Sequence, residues 1–333
     1  GNYKKYDVLE EKEIFNEEID FYDVKGQEKA KRALEICAAG GHNLLMAGTP
    51  GSGKTMLAKR ITTILPPMTD EEKIEVTKLY SISGKLSETN PVINKRPFRS
   101  PHHTSSSTAV IGGGKTPSLG EISLADKGVL FLDEIVEFKK DVLEALREPL
   151  EERKVSVTRA VYKAEFPADF IFIGACNPCK CGYAFEDGDL CTCSAGEISR
   201  YMKKLSGPIL DRIDLKIEIK RLTEDELTGD TPRETSEEIR KRVIRAREIQ
   251  KKRFGCEKLN GHMTRKDLEK FCRLDEETKA IMKTAVKNLN LSARSFDRVL
   301  KAARTISDLA GSRDIKKVHI MEALSYRISE FNI

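Results

Sequence analysis

Short apolar runs and helical patterns alternate through the first two thirds of the chain. Asn43–Gly48 leads into a helix from Lys54, Val129–Asp133 leads into a helix over Lys139–Glu152, and Phe170–Ala175 forms a third run. Strand-length runs interleaved with helices predict an α/β core, a parallel sheet covered by helices. Beyond Lys220 the strand signals stop. Ser236–Phe254 carries Ile239, Val243, Ile244 and Ile249 at helical spacing, and Gly255 supplies the stop. Met263–Ile333 reads as a small helical domain. Residues 1–20 are charged and without period; they read as a tag remnant at Gly1 followed by a linker. The expected division is a linker over 1–20, a core over 21–222, a connecting helix within 223–260 and a helical lid over 261–333. No internal repeat or low-complexity segment interrupts it.

Composition adds limits. At 333 residues the chain is long enough for two domains, since single cores stop growing at roughly 250–300 residues. No apolar run approaches the ~20 residues of a membrane span, and the opening segment lacks an apolar leader, so a cytoplasmic protein without a membrane partner is expected. A net charge of +5 is too small to identify a nucleic-acid partner by itself. Five of the eight cysteines, Cys176, Cys179, Cys181, Cys191 and Cys193, fall in one stretch. In a reducing compartment such crowding points to metal more than to disulfides.

The chemistry concentrates at the tips of the predicted strands. Gly48-Thr49-Pro50-Gly51-Ser52-Gly53-Lys54-Thr55 follows one strand and opens a helix, the context a phosphate-binding loop requires. Its glycines let backbone N–H groups close around phosphates. Lys54 reaches the β- and γ-phosphates of ATP, and the Thr55 hydroxyl ligates Mg²⁺. Val129-Leu-Phe-Leu-Asp133-Glu134 ends in two carboxylates, Asp133 to hold Mg²⁺ and Glu134 to polarise the attacking water. Asn177, just past the third strand, is placed to contact that water or the γ-phosphate; taken alone, it reads as a turn residue.

These motifs occur in order with Gly26-Gln27, Gly40-Gly-His-Asn-Leu-Leu, Arg99-Ser-Pro-His-His-Thr104, Gly120-Glu-Ile-Ser-Leu-Ala, Asn177-Pro-Cys-Lys-Cys-Gly182, Ser206-Gly-Pro-Ile-Leu-Asp-Arg-Ile-Asp214 and Leu291-Ser-Ala-Arg294. From Phe21 nearly to the C-terminus the chain resembles the magnesium-chelatase-like AAA+ ATPases, and within them the ComM/YifB family. The resemblance implies an AAA+ P-loop core with a helical lid, and a homo-oligomeric ring, typically hexameric. It further implies a DNA helicase or branch-migration motor, with ComM members serving natural transformation. It places Gly26 and Gln27 at the nucleotide, makes Arg212 the arginine finger that reaches the neighbouring subunit's γ-phosphate, and makes Arg294 the sensor arginine of the lid. A guanidinium suits a transferring phosphoryl group. The bland readings are that Arg212 pairs with Asp211 or Asp214 on the surface, and that Arg294, Arg298 and Lys301 form a solvated stripe. The resemblance also implies that full-length relatives carry an N-terminal domain similar to the Lon protease domain, and no such domain is expected within these 333 residues.

Cys179-x-Cys181 and Cys191-x-Cys193 offer four thiolates for a structural Zn²⁺, a spacing the family shares; free thiols or redox disulfides are the alternatives. His102 and His103 make a poorer metal site, because adjacent residues rarely point together, and are expected to shape the insert before the second strand. Lys154–Arg159 and Val161–Phe166 alternate as a hairpin joined near Ala160. In related rings such a hairpin faces the pore, which makes Arg159, Lys163 and Lys115 candidate phosphate contacts; the alternative is a solvated hairpin. A metal-insertion or protein-remodelling motor shares the same nucleotide motifs and is the rival function. A scaffold that binds nucleotide without hydrolysis has no need of Glu134.

Overall fold

The computed structural model describes residues 19–86, 91–113, 118–158, 163–186, 190–205, 207–229 and 233–327. Nine strands occur among them: β1 Leu44–Gly48, β2 Phe98–Arg99, β3 Gly112–Gly113, β4 Ser118–Leu119, β5 Val129–Leu132, β6 Lys154–Thr158, β7 Lys163–Pro167, β8 Ile171–Cys176 and β9 Leu215–Ile219. The main sheet has the order β2-β5-β8-β1-β9, and every pairing in it is parallel. Alternate residues serve opposite faces. Leu44, Met46, Phe131, Ile173 and Ile217 join one apolar cluster, while Leu45, Ala47, Leu130, Leu132 and Phe172 join another. A sheet buried on both sides explains why its strands read as continuous apolar runs.

The core helices are α1 Glu28–Gly40, α2 Lys54–Ile64, α3 Asp70–Ile82, α4 Ser107–Ile111, α5 Glu121–Leu124, α6 Lys140–Ala145, α7 Arg147–Glu152, α8 Ala195–Met202, α9 Gly207–Leu210 and α10 Glu224–Thr228. The single helix expected over Lys139–Glu152 is in fact two. Pro149 has no N–H to give the carbonyl of Ala145, and the backbone breaks at Leu146, whose N–H turns to Leu143 O at 3.3 Å.

The rest is helical: α11 Ser236–Phe254, α12 Arg265–Phe271, α13 Glu276–Asn288, α14 Ala293–Leu309 and α15 Lys317–Ser325. A capping box between Thr235 and Glu238 starts α11, and Gly255 at φ 72° ends it. Val243 and Ala246 of α11 and Val299 and Ile306 of α14 share the apolar cluster that also holds Leu34 and Leu57. The helical part is thus packed directly on the sheet's α1–α2 face.

Candidate active site

Because the central strands are parallel, their C-terminal tips meet at one edge. Gly48 ends β1, Asp133 and Glu134 follow β5, and Asn177 follows β8. Ligands bind at this edge of open α/β sheets. Gly51 and Gly53 take φ of 78° and 85°, left-handed values that let the loop turn back to the start of α2. Lys54 is buried, and its Nζ donates to Gly48 O at 2.7 Å, Thr49 O at 2.9 Å and Asn177 Oδ1 at 3.3 Å. Burial lowers its pKa against the opposing pull of Asp133. Thr55 Oγ1 donates to Asp133 Oδ2 at 2.7 Å.

The donor set fits nucleotide and metal. Thr49 Oγ1 and Ser52 Oγ are buried in the loop without a hydrogen-bond partner among the described residues, and phosphate oxygens are acceptors for such hydroxyls. Thr55 and Asp133 already bring two hard oxygen ligands together, as Mg²⁺ requires. Gln27, left-handed at φ 58°, donates from Nε2 to Lys220 O at 2.7 Å. Lys220 follows the β9 residue Ile219 that pairs with Gly48, so Gly26 and Gln27 stand beside the loop's edge of the sheet.

Glu134 is also left-handed, at φ 49°, with its N–H on Asp133 Oδ1 at 2.9 Å. Its Oε2 lies 3.1 Å from His103 Nδ1. The His102 and His103 rings do point together, with centroids 4.2 Å apart, and His103 sets its edge against Phe138 at 6.5 Å. The pair was expected to shape the insert; His103 in addition touches Glu134, the carboxylate expected to polarise water. The sequence holds no local signal for this, since the contact joins the segment after β2 to the tip of β5.

Two family models match the chain, magnesium chelatase subunit ChlI over residues 20–227 and the ChlI C-terminal region over residues 233–327. It is 46% identical over 93% of its length to competence protein ComM of Haemophilus influenzae and 44% identical over 92% to the uncharacterized protein YifB of Escherichia coli K12. A 67 kDa magnesium-chelatase subunit of Chlorobaculum parvum is 28% identical over 48% of the chain. The chain belongs to the ComM/YifB family of magnesium-chelatase-like AAA+ ATPases. It spans 60% of the length of the ComM and YifB relatives.

The family's two arginines lie away from the loop. Asn43, immediately before β1, donates from Nδ2 to Arg212 O at 3.1 Å, so Arg212 sits at the far end of that strand. Five strand residues at ~3.3 Å each put roughly 16 Å between it and the phosphate loop of its own chain. Its guanidinium donates to Arg147 O at 3.1 Å and Pro208 O at 2.9 Å and pairs with Glu151. The pairing with Asp211 or Asp214 entertained from sequence is not the one observed. Arg294 stands exposed in the first turn of α14, with no hydrogen-bond or ion-pair partner among the described residues. The solvated stripe is a second correction: Arg298 Nη1 pairs with buried Asp214 at 2.6 Å, and Lys301 Nζ donates to Gly261 O at 3.1 Å.

The four sulfurs of Cys179, Cys181, Cys191 and Cys193 all lie within 4.8 Å of one another, and none forms a disulfide. Separations of 3.3, 3.8 and 3.6 Å join the first three. Tetrahedral ligation at ~2.3 Å gives edges of about 3.8 Å, close to the separations among these three sulfurs. A hydrogen bond from the Tyr183 backbone draws the Cys181 thiol down to about 6, whereas the thiols of Cys179, Cys191 and Cys193 are held above their ordinary value. Cys176 lies outside the cluster, buried at the end of β8, where burial pushes its thiol up to about 12. β6 and β7 form the expected hairpin, with Thr158 opposite Lys163. Arg159 and Lys115 lie outside the described residues.

Proposed function

We propose that this chain is the hydrolytic core of a ring-forming ATPase motor that moves on DNA. What carries the hydrolytic part is the convergence of Lys54, Thr55, Asp133, Glu134 and Asn177 on one sheet edge. Thr55 and Asp133 would hold Mg²⁺, which supplies charge neutralisation on the β- and γ-phosphates when bound. Glu134 accepts a proton from water as its oxygen attacks the γ-phosphorus. The bond to the β–γ bridging oxygen breaks, and ADP leaves with its electron pair. Lys54 balances the departing charge, and Asn177 orients the water.

Arg212 supports assembly. Sited at the opposite end of β1 from its own loop, it serves phosphate only across a subunit boundary, and Arg294 on the lid is free to meet nucleotide. Gly26 and Gln27 complete the nucleotide-binding edge. The sulfur tetrahedron is assigned to one structural Zn²⁺, held by Cys179, Cys181, Cys191 and Cys193; four thiolates leave no open position for catalysis.

The DNA substrate rests on the likeness to a competence protein and on the hairpin, where Arg159 and Lys163, with Lys115 from the preceding insert, contact phosphates without reading bases. The test is ATPase turnover with and without single-stranded and branched DNA, repeated with Arg159→Glu/Lys163→Glu. Stimulation that is lost in the double variant, with basal turnover retained and a flatter salt dependence of binding, is expected. Turnover indifferent to every DNA structure would favour the metal-insertion or protein-remodelling reading instead.

A further inference from the structure

Past the tip of β5 the chain makes a single 3₁₀ turn, Ile135–Glu137, and Lys139 and Lys140 stand exposed where α6 begins. Past the cysteine cluster it enters α8, started by a capping box between Ser194 and Glu197. Met202 of α8 and Leu205 just beyond it share an apolar cluster with Val136 and Phe138, and Tyr201 packs against that cluster. The opposite face of α8 carries Arg200, Lys203 and Lys204, all exposed, at the spacing of one helical stripe. Lys204 Nζ donates to Glu137 Oε2 at 3.3 Å and lies 5.4 Å from the centre of the Tyr201 ring, which ties α8 to the turn after β5. Lys180, exposed within the cysteine loop, stands beside the same helix. The Ser194 N–H and hydroxyl hold the Glu197 carboxyl below its usual range, and Arg200 and Lys180 add to that pull.

The carboxylates of this surface are engaged: Glu137 by Lys204, Asp141 by Ser107, and Glu197 in its own cap. The side chains of Lys139, Lys140, Lys180, Arg200 and Lys203 make no hydrogen bond or ion pair among the described residues. Unneutralised cations set side by side repel one another. They are relieved by a ligand that offers repeated anions and demands little fit, as a nucleic-acid backbone does. A continuous row of packed elements leads from here to the β6–β7 hairpin: Ser107 of α4 meets Asp141 of α6, α4 packs on α6 and on β3, and β3 packs on β6.

We propose that Lys139, Lys140, Arg200 and Lys203 form a second contact surface for the DNA backbone, apart from the hairpin, with the strand lying along the packed row between the two. The inference deepens the DNA reading above and rests on it. These side chains meet phosphates and read no bases, so binding here is independent of sequence and falls as salt rises. The turn after β5 and the capped helix α8 are both fixed on the apolar cluster beneath them. Binding therefore costs the freedom of the side chains and leaves the backbone as it is.

Fluorescence anisotropy with labelled single-stranded DNA over a salt series tests it, with melting temperature and assembly measured alongside. The variants are Lys139→Gln/Lys140→Gln and Arg200→Gln/Lys203→Gln. Lys283→Gln/Lys287→Gln, at exposed positions of α13, removes the same charge elsewhere. At ~0.7 of log–log slope per phosphate on a single strand, two lost contacts should flatten the salt dependence by ~1.4 and raise the Kd about tenfold or more at ~0.1 M salt. The α13 pair should stay within about twofold of the parent, and Arg200→Lys/Lys203→Arg, which keeps both charges, should bind as the parent does. Parental Kd and slope in both patch pairs, or an equal loss in the α13 pair, overturn the inference. So does a drop in assembly with parental DNA affinity in the assembled fraction, because the patch is then a contact between subunits. These failures leave the DNA reading standing where the parent binds DNA and Lys163→Glu weakens that binding. A parent that binds no DNA overturns the DNA reading, and the inference with it.

Discussion

Gly182 joins the cysteine-rich loop to the phosphate-binding loop, and Gly182→Ala should report on that join. At φ 92° the residue is in territory that L side chains avoid, and an added Cβ would lie 2.7 Å from Pro50 Cδ and 2.8 Å from Cγ. Ordinary contact begins near 3.4 Å, so something must move by about 0.7 Å. Pro50 is a closed ring within the loop that carries Lys54, and the Cys179 carbonyl holds the Gly182 N–H at 3.1 Å from behind. The displacement therefore falls largely on the phosphate loop. Misplacement of about 1 Å at a reacting centre costs on the order of 10²-fold, so kcat/KM for ATP should fall by roughly tenfold or more. The backbone strain adds ~1–2 kcal/mol, a melting temperature lowered by a few degrees at ~2–4 °C per kcal/mol. Steady-state ATPase assays and thermal melts on the same preparation are the measurement. Parental kcat/KM beside a lowered melting temperature would show that the cysteine loop does not bear on the nucleotide site.

Three further outcomes are expected. Glu134→Gln should keep ATP binding while turnover falls by about 10²–10⁴, because the amide keeps the shape but lacks the basic oxygen; near-normal hydrolysis would remove Glu134 from its role. Protein purified without chelator should hold one zinc per chain, and stripping it should lower the melting temperature and, through Pro50, weaken ATP binding; zinc content near zero would refute the site. Burial lowers the His262 pKa to about 3, so below the ordinary value of ~6.5 the unfolded chain binds a proton that the native protein refuses. Stability should then decline as pH falls from 6.5 toward 3, and His262→Gln should flatten that part of the curve; an unchanged slope would show that His262 charges in the folded state.

Reading from residue order alone reached the nucleotide site because its parts are local. A phosphate loop needs only a strand, its glycines and a helix start in succession, and the carboxylates at the tip of β5 follow an apolar run that the sheet buries on both faces. Caps such as Thr235 with Glu238 are equally local, so α11 was legible to its last residue. The short edge strand Phe98–Arg99 had no pattern long enough to see, and Leu215–Ile219, half-buried in alternation, was passed over beside its continuous neighbours. What only the tertiary structure decided are the contacts between distant segments: His103 on Glu134, Gly182 against Pro50, and Arg298 on Asp214. Each is set by where parallel strands and the packed lid bring loop ends together, and that placement depends on sheet order and burial, which no local spacing encodes. For the same reason, Arg298 read as part of a solvated stripe by helical spacing and proved to be a partner of a buried carboxylate.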